Sequence, residues 1–139
     1  MTRGAAKARH PILLKRAYEP PAPEDGRRFL VERLWPRGVR KADLQLDGWL
    51  KEVAPSRELR QWFGHDPKKW PEFKRRYFEE LRKHDEALEP LRAASLLGPV
   101  TLVYGSHDTE HNAAVALREY LERRPGERGR GAEPGRRAR

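Results

Sequence analysis

Hydrophobic and polar positions along the 139-residue chain switch between a period near two and a period near 3.6, and the switches mark the elements. Ile12 to Tyr18 opens with Ile12, Leu13 and Leu14 and then alternates, which predicts a short strand ended by Glu19-Pro20-Pro21. Pro20 to Gly26 reads as a loop or a single helical turn, with Pro23 at a first helical position and Asp25-Gly26 as a turn signal. Phe29 to Leu34 reads as a second strand, in which Phe29, Val31 and Arg33 alternate against Leu30, Glu32 and Leu34. After Trp35-Pro36-Arg37-Gly38 the period becomes helical. Asp47 is expected to cap a short helix carrying Trp49, Leu50 and Val53 as far as Pro55. Ser56 is expected to cap the next, which places Leu59, Trp62 and Phe63 on one face and stops at Gly64. Asp66-Pro67 opens the longest helix, with Trp70, Phe73, Tyr77 and Leu81 as its core face, and a further helix from about Glu86 to Leu97 closes at Gly98-Pro99. Val100 to Tyr104, VTLVY, is nearly continuous in apolar residues and suits a strand covered on both faces. Thr109 is expected to cap a final helix, Glu110 to Arg123, whose Ala113, Ala114, Leu117, Tyr120 and Leu121 form a core-facing stripe.

Strands separated by helices predict an α/β fold: a small, mainly parallel sheet flanked by helices in a three-layer, Rossmann-like architecture, with three strands visible. The length suits one domain, since domains commonly run about 100 to 150 residues. With no cysteine in the chain, disulfides, thiolate zinc sites, iron–sulfur clusters and a cysteine nucleophile are excluded. The first ten residues are polar and basic with no apolar stretch behind them, and no apolar run approaches the roughly 20 residues that span a bilayer, so a cytoplasmic protein without membrane contact is expected.

The net charge of +9 changes this picture less than its size suggests. Residues 1–10 carry +3 and residues 123–139 carry +5, which leaves only +1 on residues 11–122. The expected organisation is therefore a flexible basic arm over 1–10, an α/β domain over 11–122 and a disordered Arg/Gly-rich tail over 123–139. Nucleic acid is a candidate partner for that tail.

In parallel sheets, ligands bind beyond the carboxyl ends of the strands, which directs attention to the segments after Leu34 and after Tyr104. Between Arg27 and Lys41 six cations (Arg27, Arg28, Arg33, Arg37, Arg40 and Lys41) face one acid, Glu32. Guanidinium forks suit carboxylate or phosphate, and Pro36 with Gly38 would hold the loop in a turn whose amides can approach a ligand. The competing reading has Arg33 paired with Glu32, Asp43 or Asp47 to brace the loop, and Trp35 plugging the sheet edge. The second segment, Tyr104-Gly105-Ser106-His107-Asp108-Thr109, leaves a strand for a helix N-terminus, where amides and dipole favour an anion, although Ser106 and Thr109 are also ordinary turn and capping residues. No G-x-S-x-G elbow is present, and His107 with His111 lacks a third ligand, so no metal site and no cofactor is assigned. Glu32 is the candidate general base if it is buried beside the arginines.

The segments VERLWPRGVRK (Val31 to Lys41), LDGWLKEVAPSRELRQWFGHD (Leu46 to Asp66) and VTLVYGSHDTEHNAAVAL (Val100 to Leu117) together closely resemble the YeaO-like family, small bacterial proteins classed as a domain of unknown function. The resemblance covers about residues 12–122. It implies that the family pattern uses Arg33, Trp35, Pro36, Arg37, Gly38, Lys41, Trp49, Pro55, Ser56, Tyr104 and Asn112, and it brings no activity with it. Where longer relatives carry a Cys-His-Arg run, this chain has Asn112, Ala113 and Ala114, so thiol or imidazole chemistry at that point is not expected here.

The reading that follows is a domain that binds a small anionic metabolite, nucleotide or phosphorylated ligand between loops 33–41 and 104–112. Arg33, Arg37 and Lys41 would hold the anion, Trp35 would stack on or wall the site with Gly38 turning the loop, and Tyr104, Ser106 and Asn112 would orient the ligand. An acid–base or hydrolytic step through Glu32 or a bound water is an open addition to this reading. Nucleic-acid binding through the basic loop and tail is the alternative.

Overall fold

Strands β1 (Ile12–Arg16), β2 (Arg27–Leu30), β3 (Gly48–Trp49) and β4 (Val100–Tyr104) form one parallel sheet in the order β1-β4-β2-β3 in the computed structural model, which describes residues 9–123. The basic ends, residues 1–8 and 124–139, lie outside the described residues. Strand β4 runs between β1 and β2 and is buried along its whole length, which is why VTLVY carries no polar alternation. Helices α1 (Lys41–Leu44), α2 (Arg57–Phe63), α3 (Trp70–Lys83), α4 (Glu89–Leu97) and α5 (Ala113–Glu122) fill the connections, with 3-10 turns at Pro23–Asp25, Lys51–Val53, Pro67–Lys69 and Asp85–Leu88. None of these helices is long and apolar enough to cross a membrane.

Alternation along the strands gives the sheet two unequal faces. Ile12, Phe29, Val31, Val100, Leu102 and Tyr104 share one core with the apolar faces of α2 to α5, including Leu59, Phe73, Leu91 and Leu117. Ala17, Leu30 and Val103 meet Leu44 of α1 with Trp35, Val39 and Leu46. The α/β class with a parallel sheet holds, and its third layer is thin, made of a four-residue helix and a loop instead of long helices. The amino end of that second face is polar: Asp25 accepts hydrogen bonds from Lys15 and Arg28, and its carbonyl accepts one from the Thr101 hydroxyl. Next to this cluster Gly26, at φ +65°, is required, since a Cβ there would stand 2.1 Å from the Pro99 carbonyl oxygen.

Several expected boundaries are corrected. The first strand stops at Arg16, and Ala17 only donates its N–H to the Tyr104 carbonyl. The second runs over Arg27–Leu30 instead of Phe29–Leu34: its neighbour β3 ends at Trp49, and the chain bends where the Glu32 side chain turns to the Gly105 amide. The helix expected after Asp47 is reduced to the 3-10 turn Lys51–Val53. Gly48–Trp49 adds an edge strand there, Asp47 accepts the Arg28 N–H across the ladder instead of capping, and a Cβ on Gly48 would stand 3.0 Å from the Phe29 ring. Ser56 caps α2 through the Leu59 N–H, and Gly64 ends it. The helix expected from Glu86 begins as a 3-10 turn and becomes α-helical at Glu89, with Pro90 in its first turn. The final helix begins at Ala113 and not at Glu110, because Asn112, not Thr109, accepts the Val115 N–H as its cap.

Candidate functional site

A cleft of about 240 Å³ opens where the chain leaves the carboxyl ends of β2 and β4. Its walls come from Val31 to Leu34, from Ala54 and Pro55, from Arg60 to His65 around the end of α2, and from Ser106 with His111 to Ala113 at the start of α5. Phe63 and Phe73 form its base, with ring centroids 4.4 Å apart in a stacked arrangement. Near the rim the His65 ring lies 6.3 Å from Phe63, and the His111 ring meets Trp70 edge-on at 5.4 Å.

The polar groups of the cleft are held from behind. Arg33 donates from Nε to the Pro55 carbonyl at 3.1 Å and from Nη2 to the Ala54 carbonyl at 3.4 Å, so backbone oxygens fix its guanidinium while Nη1 has no partner among the described residues. Loop bracing by Arg33 is therefore real, but through carbonyls and not through Glu32, Asp43 or Asp47. Glu32 accepts the Gly105 N–H at 2.9 Å and so ties the end of β2 to that of β4. Arg60 is exposed on α2, and neither it nor Arg33 enters an ion pair among the described residues.

The 105–112 segment is a network of turns. The Ser106 hydroxyl accepts the Asp108 N–H, and Arg16 Nε donates to the Ser106 carbonyl at 2.8 Å. The Glu110 and His111 amides, with the His111 ring, hold the Asp108 carboxyl below the usual carboxylate range. Asn112 is buried; it donates to the Asp108 carbonyl and caps α5. Tyr104 lies beneath, buried, and that burial, reinforced by Glu19, pushes its hydroxyl above its ordinary value. At neutral pH that hydroxyl is therefore protonated and does not serve as a base.

The fold thus brings Glu32, Arg33, Ser106 and Asn112 to one cleft, with Tyr104 under it. Trp35 and Lys41 line a different hollow, about 710 Å³ and more open, beside the β3 edge. There Trp35 donates from Nε1 to the Val39 carbonyl and meets Trp49 edge-on at 5.3 Å, which places it against the edge strand. Arg37 and Gly38 line neither space: the Arg37 carbonyl accepts the Tyr18 hydroxyl, and Gly38, at φ +77°, turns the loop. Sequence reasoning missed Arg60, Gln61 and His65. The available signal was helical spacing, because burying Leu59 and Phe63 leaves Arg60 on the adjoining stripe of the same short helix. Among the described residues no three His, Asp or Glu side chains are grouped as metal ligands.

Residues 11–136 match the family model described as the inactive DUF488-N3 subclade. The chain belongs to this subclade. The uncharacterized protein YeaO of Escherichia coli K12 is 41% identical over 110 residues, covering 79% of this chain and 96% of its own. The uncharacterized protein Rv3073c of Mycobacterium tuberculosis H37Rv is 44% identical over 108 residues, covering 75% of this chain and 88% of its own, and Mb3100c of Mycobacterium bovis matches over the same extent. The resemblance read from the W-P-R-G and V-Y-G-S-H-D segments is thereby shown. No solved structure matches this chain.

Proposed function

We propose that this subclade member binds a small anion in the cleft between the ends of β2 and β4, without turnover. The observation that carries the reading is that Arg33 and Arg60, from different elements, line one cleft and neither is neutralised by an ion pair among the described residues. Guanidinium forks on two sides of a concave site suit an acceptor with two oxygens, and hydrogen bonds to a charged group are worth roughly 1.5 to 3 kcal/mol each. Arg33 is already oriented by the Ala54 and Pro55 carbonyls, so little side-chain freedom is lost when it binds. Binding without turnover is supported by the subclade's description as inactive, and by the use of Glu32 as a brace for Gly105.

The test is thermal unfolding of the full chain at constant ionic strength, with chloride exchanged for acetate, benzoate, phosphate or a nucleoside monophosphate. An anion at 100 times its dissociation constant stabilises the fold by about 2.7 kcal/mol, a shift of several degrees in a domain of this size. Arg60→Gln is expected to abolish the shift without loss of stability, because Arg60 is exposed and makes no ion pair among the described residues. A shift that survives Arg60→Gln but disappears when residues 124–139 are deleted would move the binding to the basic tail and favour the nucleic-acid reading.

A further inference from the structure

We infer that the ligand of this cleft is a small monocarboxylate with an apolar, preferably aromatic, body, and not a phosphate or nucleotide; this rests on the anion-binding reading above. Size is the first argument. Pockets for drug-sized molecules run from about 300 to 1,000 Å³, and this one is about 240 Å³. A cleft just below that range favours a benzoate-sized body over a nucleoside monophosphate.

Charge is the second. Two guanidinium groups, Arg33 and Arg60, line the cleft against one carboxylate, Glu32, so with the histidines counted neutral the site offers +1. A monoanion balances that charge. A phosphate dianion overbalances it and brings its second charge towards Glu32, whose oxygen is fixed by the Gly105 amide.

The third is the lining. Between the polar rim and the Phe63–Phe73 stack the walls are Val31, Leu34, Pro55 and Ala113, which present no hydrogen-bonding side chain. A hydrated anion such as phosphate would leave those walls unused, whereas an apolar body covers them and releases their water. Leu34, 68% exposed at the lip, is the wall whose exposure such a body would reduce most.

Isothermal titration of the full chain with benzoate, acetate, benzamide, phosphate and adenosine monophosphate tests this. Benzoate is expected to bind at least ten-fold more tightly than acetate, which lacks the body, and than benzamide, which lacks the charge. Phosphate and the nucleotide are expected to bind more weakly than acetate. Arg60→Gln should weaken benzoate ten-fold or more. Leu34→Ser, at an exposed position that leaves the core intact, should weaken benzoate at least three-fold and leave acetate unchanged. If phosphate or the nucleotide binds as tightly as benzoate and depends on Arg60, the anion site stands and the monocarboxylate assignment is overturned. If benzamide equals benzoate, or if no probe binds, both readings are overturned.

Discussion

Replacing Asp25 with alanine is expected to lower the unfolding free energy by about 3 to 5 kcal/mol, the cost of leaving a buried cation without its partner. The Asp25 and Arg28 side chains are only 5% and 4% exposed, and Arg28 Nη1 meets Asp25 Oδ2 at 2.8 Å. Lys15 Nζ donates to both carboxylate oxygens and the Ala22 N–H to one of them. The Arg28 side chain has one other bond, from Nε to the Leu44 carbonyl, and its Nη2 is buried with no partner among the described residues, so none of these supplies an alternative acceptor. Urea denaturation at pH 7 measures the loss; a change below about 1 kcal/mol would mean that Arg28 is solvated after the substitution. The pH dependence has a definite sign. Burial alone raises the Asp25 carboxyl, but the Ala22 amide, Lys15 and Arg28 outweigh it and hold the group below its ordinary value. Its contribution is therefore full above the unfolded value of about 3.9 and disappears as pH falls through the lower folded value. Asp25→Asn should flatten the acid limb of the stability curve below about pH 4.

Tyr77→Ala is expected to cost a similar amount, about 3 to 5 kcal/mol, as for truncation of other buried aromatics. Tyr77 is 1% exposed, packs 5.8 Å from the Phe73 ring and donates its hydroxyl to the Val53 carbonyl. Burial, with the Glu80 charge adding to it, pushes that hydroxyl far above its ordinary value, so it is a fixed donor throughout the range in which the protein is folded. Tyr77→Phe keeps the ring and strands the Val53 carbonyl, at a cost of about 1 to 3 kcal/mol. The same bond anchors the turn that leads into Ala54 and Pro55, whose carbonyls orient Arg33. Tyr77→Phe should therefore also weaken anion binding, although Tyr77 itself does not line the cleft. Calorimetric unfolding and anion titration of the same variant separate the two effects.

Elements with a strong local pattern were legible in the sequence. The unbroken VTLVY run marked the central strand, Ser56 and Gly64 bounded α2, and Phe73, Tyr77 and Leu81 all proved buried along α3. Strand β3 was not legible, because two residues carry no periodicity and Asp47 has the identity of a cap; what places Gly48 there is its fit against the Phe29 ring. Asn112 displaced Thr109 as the cap because the Asp108 carboxylate takes the Glu110 and His111 amides and holds that stretch in turns. The site was half legible for a related reason. Arg33, Trp35 and Lys41 stand close together in sequence, yet the chain bends after Val31 and sends Arg33 to the Ala54 and Pro55 carbonyls and Trp35 to the opposite face with Val39 and Leu46. Helical spacing sets Arg60 beside the buried Leu59 and Phe63, but only the packing of α2 brings it to the cleft.

The most direct measurement of the central claim is a nitrogen–proton correlation titration of the labelled full chain with benzoate, following the Arg33 and Arg60 side-chain Nε resonances, the Ser106 and Asn112 amides, and the Trp35 and Trp49 indoles. Binding in the cleft predicts concerted, saturable shifts at Arg33, Arg60, Ser106 and Asn112 that follow one dissociation constant, with the two indoles unmoved. Shifts confined to Trp35, Lys41 and Trp49, or to residues 124–139, would place the anion in the hollow beside β3 or on the tail and contradict the account.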